Sequence, residues 1–241
     1  MQGVPLVRMI ILMPSKNSLK IYSEESFYHI YNRGVEKRTI FLDEQDYSVF
    51  LSYLKNYLLP KDEINLRKKL SDPYLSFKEK DKILKLIRLN NFNGEISLIA
   101  YCLMPNHFHM LLYQKGAATI DKFMNSLGTR YSMYFNRKYK RVGSLYQDVY
   151  KAVAVTSDEQ LLHLTRYIHK QALALQGDAL VRREGQPCSF PEYIGKRNSE
   201  WIKPDDILLY FSKTNPNLDY KSFVMAIIDL TFIRKVILDD H

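Results

Sequence analysis

Met104 to Gln114 reads Met-Pro-Asn-His-Phe-His-Met-Leu-Leu-Tyr-Gln, and this stretch decides the fold. His107 to Gln114 (HFHMLLYQ) has the apolar and aromatic content of a strand, and Met104-Pro105-Asn106 breaks the run before it. That run, Glu95 to Leu103 (EISLIAYCL), follows the Asn93-Gly94 turn signal and predicts a buried strand. Two strands joined by so short a turn predict an antiparallel pair. Side chains alternate along a strand, so His107 and His109 point to one face while Phe108 points to the other, toward a core.

Working outward, Ser26 to Arg33 (SFYHIYNR), closed by Gly34, predicts an earlier strand. Asp43 then stands as N-cap, with Asp46 at the capping-box position, before a helix whose Tyr47, Phe50, Leu51, Leu54, Tyr57 and Leu58 recur at three- and four-residue steps up to Pro60. Residues 61–93 are Lys-rich and carry two short helical patterns, Ile64 to Leu70 and Phe77 to Leu89, a helical insertion. Thr119 to Tyr139 predicts a helix, and Tyr146 to Val155 a fourth strand. Ser157, with Gln160 three residues on, caps a last helix that carries Leu161, Leu164, Ile168, Ala172 and Leu175 and ends near Gly177. Beyond Cys188, residues 189–201 read as an extended appendage, followed by short helices over 204–211 and 220–236.

The order is βαββαβ plus a helix, an α+β, ferredoxin-like arrangement with an antiparallel sheet. It predicts helices over one sheet face and the other face free to carry a site. The expected divisions are a leader over 1–25, one catalytic domain over 26–180 with its insertion at 61–93, and a C-terminal helical extension over 181–241.

Composition bounds the chemistry. The 241 residues are 46% hydrophobic and 25% charged, which excludes a wholly disordered chain. Two cysteines, Cys102 and Cys188, exclude a disulfide scaffold and a four-cysteine metal site. The net charge of +9 favours a polyanionic partner. No run reaches the ~18 apolar residues of a membrane span. Val4 to Met13 holds Pro5 and Arg8 and lacks the flanks of a signal peptide. A cytoplasmic, nucleoid-associated protein without a membrane partner is the expectation.

Two imidazoles side by side on a sheet face, His107 and His109, form a bidentate donor for a divalent metal. They are equally readable as ordinary strand histidines. Tyr167 and Gln171 are four apart on one helix face, with His163 one turn earlier. Beside a metal, Tyr167 has the chemistry of a nucleophile and Gln171 that of an oxygen ligand. A lone helical tyrosine is more often half-buried with a wet hydroxyl. Arg130, Arg137, Lys138, Lys140, Arg141 and Lys151, against Asp148 alone, put +5 into residues 130–151. Tyr131, Tyr134, Phe135, Tyr139, Tyr146 and Tyr150 are interleaved with them, a pattern suited to single-stranded nucleic acid. His29 and Asn32 on the first strand are candidates to line the sheet face that bears the histidine pair.

Together these residues carry a resemblance. Phe27-Tyr28-His29-Ile30-Tyr31-Asn32-Arg33-Gly34 with Ile40-Phe41, then the strand Met104 to Leu112, then Asn136-Arg137, Arg141, Gly143, Leu145 and Gln147, and finally Arg166-Tyr167-Ile168-His169 resemble, in order, the motifs of the REP-associated tyrosine transposases, within the single-tyrosine HUH transposases of small bacterial insertion sequences. The resemblance implies an enzyme that cleaves and rejoins single-stranded or hairpin DNA. Tyr167 is then the catalytic nucleophile, forming a 5′-phosphotyrosyl link, and His107, His109 and Gln171 hold Mg2+ or Mn2+. Arg130, Arg137, Lys138, Lys140, Arg141 and Gln147 contact DNA, and either a homodimer or a monomer does the work. The chain departs from the pattern after Lys170, where Gln171-Ala172 stands for Asn-Pro, so the proline stop is lost and the helix is free to run on. A reading of another class is a non-catalytic single-stranded nucleic-acid-binding module that uses sheet aromatics as stacking platforms.

Overall fold

Four strands, β1 (Ser26–Arg33), β2 (Ile96–Met104), β3 (His107–Gln114) and β4 (Lys151–Val155), lie in the order β2-β3-β1-β4 with every neighbouring pair antiparallel. The computed structural model from which this is read describes residues 20, 22–176, 179–182 and 186–226. The helices in chain order are α1 (Glu44–Leu58), α2 (Glu63–Leu70), α3 (Phe77–Arg88), α4 (Thr119–Lys138) and α5 (Asp158–Gln171). With α2 and α3 set aside as the insertion, this is the ferredoxin-like βαββαβ arrangement. The leader expected over 1–25 lies outside the described residues except at 20 and 22–25.

Alternation sorts the strand residues between two cores. Tyr28, Ile30, Leu98, Leu103, Phe108, Met110 and Leu112 pack with Phe50 and Leu54 of α1 and Phe123, Leu127, Tyr131 and Phe135 of α4. On the other face Ile99, Ala100, Cys102, Met104 and Leu111 pack with Leu161, Leu164, Tyr167 and Ile168 of α5. Ile99 and Ala100 join the same core because the β2–β3 register shifts between Leu98 and Ala100, a bulge that turns two successive residues to one face. The second face is therefore closed, not open. Helix α5 and residues 186–226 cover it, with Tyr193, Ile207, Tyr220 and Val224 buried there.

Four further expectations change in the structure. First, residues 146–150 are loop, with one isolated bridge from Tyr146 to Gly34 just past β1, and β4 begins only at Lys151. Second, α5 stops at Gln171 without a proline. Leu173–Gln176 (β5) instead pairs with Ala179–Arg182 (β6), and that ladder takes the backbone groups a longer helix would have used. The expected end at Gly177 lies outside the described residues. Third, the segment after Cys188 is not an extended appendage. It includes the short helix α6 (Phe190–Tyr193) and lines the free edge of β2. Leu103 N–H donates to the Pro187 carbonyl, Ser189 N–H to that of Tyr101 and Lys203 N–H to that of Leu98. An unpaired strand edge is thereby satisfied. Fourth, the two helices expected next shorten to α7 (Asp205–Leu208) and α8 (Tyr220–Met225), and residues 227–236 of the second lie outside the described residues.

Candidate active site

The β1–β3 register sets Tyr31 opposite His109 and Arg33 opposite His107, so both histidines and the odd-numbered residues of β1 share the α5 face. His29 on that face is completely buried, and its Nε2 lies 2.9 Å from Nδ1 of His109. The two rings stack with centroids 5.1 Å apart. His109 is 1% exposed, and burial first, then the positive potential of His29, His107 and Arg33, holds its pKa well below the ordinary histidine value. It stays neutral, as a metal ligand must. His107 sits at the rim, with Nδ1 2.6 Å from Oδ1 of Asn106 in the turn that precedes it. The Asn106 oxygen can only accept, so it places the His107 proton on Nδ1 and leaves the Nε2 lone pair open; His109 presents its Nε2 lone pair in the same way when its Nδ1–H donates to His29 Nε2. The two histidine donors thus fit a divalent cation.

Tyr167 projects from α5 onto this pair. Its ring stands edge-on to His109 at 5.6 Å and to His29 at 6.4 Å, and the residue is 5% exposed. Apolar residues at Leu161, Leu164 and Ile168 seat α5 on the sheet, and Ser157 starts it by accepting from Gln160 N–H. Gln160 itself reaches back to Thr156. Gln171, the last helical residue, is half-buried one turn beyond Tyr167 on the same helix face. Among the described residues no three His, Cys, Asp or Glu side chains form a metal-holding group. His163 points elsewhere: its Nδ1 is 2.8 Å from an Arg166 guanidinium nitrogen, and its ring meets Phe223 of α8.

Two members of the site were not singled out from the sequence. Tyr31 lies beside both His29 and His109, at 4.8 Å and 5.9 Å between ring centroids. Arg33 brings a guanidinium to the rim beside His107. The signal for both was the period-two spacing 29, 31, 33 on β1. The same rule separates Asn32 from His29. Asn32 lies on the α1–α4 face, where its Nδ2 donates to the Asp148 carbonyl. It borders a cleft of about 480 Å3 there, next to Met124, Asn136 and Tyr146.

The basic stretch divides. Arg137, Lys140 and Gln147 are exposed. Lys138 is not open to DNA: its Nζ lies 2.7 Å from both oxygens of Asp43 and 2.8 Å from Oδ1 of the fully buried Asp46. Arg130 lies over the Tyr53 ring at 3.7 Å, against α1. Arg141 donates to Oδ1 of Asn136 and to the Ser144 carbonyl, bracing the α4–β4 loop. The interleaved aromatics are core or core-facing. Tyr131 is buried and donates to the Ile40 carbonyl, Tyr134 and Tyr139 donate to Asp46, Phe135 is buried, Tyr146 packs on Phe108, and Tyr150 bonds Tyr22 and Asp121. Their recurrence follows the helix core, not a stacking platform.

Residues 64–171 match the family profile described as "Transposase IS200 like", a span that includes both histidines, Tyr167 and Gln171. No curated protein sequence matches significantly. Two solved structures are similar at low identity. One, a REP-associated tyrosine transposase bound to a REP hairpin, is 10% identical with a TM-score of 0.46 over 78% of this chain and 98% of that one. The other, a candidate transposase from Deinococcus radiodurans R1, is 14% identical with a TM-score of 0.26 over 66% of this chain and 98% of that one. Among the described residues no helix is long and apolar enough to cross a membrane. The profile match runs through the strand of the histidine pair to the end of the tyrosine helix, so this part of the chain is similar to the IS200-like transposases.

Proposed function

We propose that the chain cleaves and rejoins single-stranded DNA by transesterification through Tyr167. The observation that carries this reading is the edge-on seating of the Tyr167 ring 5.6 Å from His109, whose neutral ring is paired with a second, buried histidine. The Tyr167 oxygen forms a bond to phosphorus, the bond from phosphorus to the 3′ oxygen breaks, the phenol proton leaves to solvent, and the 3′ oxygen takes up a proton. The phosphodiester energy is kept in the tyrosyl ester, so the reverse attack by a 3′ hydroxyl rejoins DNA without ATP. The phenol of an ordinary tyrosine has a pKa of about 10, so its ionisation at pH 7 costs about 4 kcal/mol. A divalent cation, Mg2+ or Mn2+, bound by His107 and His109 with Gln171 as oxygen donor, supplies a Lewis acid for the scissile phosphate.

Arg33 at the rim, and Arg137, Lys140 and Gln147 on α4 and the loop after it, position the DNA backbone without reading sequence. Tyr167 and His109 are both covered, so a phosphate reaches them only when a covering segment opens. A folded hairpin beside a short single strand is the proposed substrate, met at the nucleoid, by one chain or by a homodimer. A non-catalytic module loses its main support because both sheet faces are packed and the aromatic rings are engaged in the cores.

A DNA oligonucleotide incubated with Mn2+ is expected to yield a covalent adduct, resistant to denaturation, with the wild-type protein and none with Tyr167→Phe. An adduct of equal yield from Tyr167→Phe removes Tyr167 from the role. Direct titration of Mn2+ is expected to show binding that His107→Ala weakens by tenfold or more, as for loss of a ligand. Unchanged binding removes the histidine pair.

A further inference from the structure

Helices α2 and α3 form a two-helix arm that the catalytic arrangement does not use. None of their residues is buried. Leu66, Leu70, Ile83, Leu84 and Ile87 are half-buried where the two helices lean on one another. The base of the arm is tied to the body. Lys61 Nζ donates to the carbonyls of Ile87 and Leu89 at 2.8 Å, Asn91 Nδ2 to those of Asn56 and Leu59, and Asn93 Nδ2 to that of Leu58. Both helices start from proper caps, with Asp62 accepting from Asn65 N–H and Ser76 and Glu79 making a reciprocal capping box. At about 1.5 Å per residue, α3 carries the tip roughly 18 Å from its base. This is an ordered lever held at one end.

The tip has an unusual composition for a solvated turn. Tyr74 and Phe77 are each 95% exposed. An isolated exposed apolar residue needs no explanation, but two aromatic rings three residues apart on a projecting tip do. Lys68 and Lys69 in the last turn of α2, and Lys78 and Lys82 in the first half of α3, are all exposed. The ion pairs formed within the arm engage Lys61 and Arg67 with Glu63, and Lys85 with Asp81, and so do not use these four lysines. Between residues 63 and 88 eight Lys or Arg face four Asp or Glu, leaving +4. Cations beside exposed rings match phosphates beside unpaired bases, since cations track the backbone and rings stack on any base.

We propose that the α2–α3 tip is a second DNA-contacting surface, in which Tyr74 and Phe77 stack on unpaired bases of a folded strand while Lys68, Lys69, Lys78 and Lys82 hold the flanking phosphates. The proposal rests on the reading of the chain as a single-strand DNA transesterase and names a surface remote from Tyr167 for that substrate.

The test is fluorescence anisotropy on DNA hairpins with an unpaired loop, in EDTA so that binding is read without chemistry. The proteins are wild type, Tyr74→Ser/Phe77→Ser and Tyr167→Phe. The rings are exposed, so the double variant folds, and an unchanged circular-dichroism melt verifies this. Wild type and Tyr167→Phe are expected to bind alike, and the double variant about tenfold more weakly. A blunt duplex of the stem sequence is expected to bind all three equally. Equal hairpin affinity of wild type and the double variant overturns the proposal while the Tyr167 adduct stands. A wild-type dimer that becomes monomeric in the double variant, at unchanged DNA affinity, also overturns it and assigns the tip to a second copy of the chain. No hairpin binding by any of the proteins overturns the tip together with the hairpin substrate, whereas an adduct on a linear oligonucleotide would still separate the chemistry from it.

Discussion

Asp46 has no solvent exposure and gathers four donors: the Leu42 N–H, the Tyr134 and Tyr139 hydroxyls and the Lys138 ammonium. Burial by itself would lower the pKa of Lys138, but its hydrogen bonds to Asp43 and Asp46 outweigh that and raise it. Those contacts with Lys138 in turn hold the exposed Asp43 below the ordinary carboxylate value. Lys138→Met keeps the aliphatic stem and leaves Asp46 a buried charge without its counter-ion. It is expected to cost roughly 2 kcal/mol in urea unfolding, the buried-pair value reduced because the Lys138 side chain is 20% exposed. DNA affinity and its salt dependence are expected to stay unchanged in Lys138→Met and to fall in Arg137→Ala/Lys140→Ala, with a log–log salt slope shallower by about 0.7 per lost contact. A shallower slope for Lys138→Met would return Lys138 to the DNA path. Arg137 and Lys138 are neighbours of one charge type, so sequence could not separate them. Their 100° offset around α4 sends one to solvent and the other to α1.

At the scale of elements, starts were more legible than ends. Asp43 and Ser157 cap the helices that follow them as read from the sequence, because an N-cap is a local contact with a backbone N–H three residues away. The Asp46 carboxylate is not the reciprocal half of a capping box, since it turns to Leu42 N–H and the lysine–tyrosine cluster. The stop of α5 at Gln171 comes from β5–β6 pairing, a contact between segments that helical periodicity does not register. The arm is separable for the same reason that its helices were recognisable. Lys61 reaches the carbonyls of Ile87 and Leu89, so its two ends already meet. Replacing residues 63–88 by a short Gly-Ser link closes a small gap at little entropic cost. The thermal midpoint is expected to move little and the Tyr167 adduct on a linear oligonucleotide to persist. Loss of cooperative unfolding would show that the arm belongs to the core.

At the scale of the whole molecule, residues 186–226 are held to the tyrosine helix by a buried polar chain. His169 has no exposure, and its Nδ1 and Nε2 lie 2.7 Å from the Tyr220 hydroxyl and 2.8 Å from the Ser189 hydroxyl. Burial drives its pKa down to about 3. Unfolded, a histidine takes up its proton near pH 6.5; folded, this one stays neutral down to about 3, so the unfolded state binds more protons in between and stability is lost as pH falls below 6.5. The slope is on the order of 1 kcal/mol per pH unit. Urea midpoints between pH 6.5 and 5, where carboxylates remain ionised, are expected to fall more steeply for wild type than for His169→Asn, and equal slopes would sink the assignment. The sequence by itself determined the first three strands and the C-terminal half of the fourth, the face shared by His107 and His109, the helical placement of Tyr167 and the helical insertion, because period, caps and turn residues are properties of neighbours along the chain. Only the tertiary structure decided that His29 backs His109, that Tyr167 lies over both, that Lys138 and the tyrosines of 131–150 serve the core, and that 186–226 closes the second sheet face. Each of these is a contact between residues far apart in sequence, selected by register and burial, which local pattern does not encode.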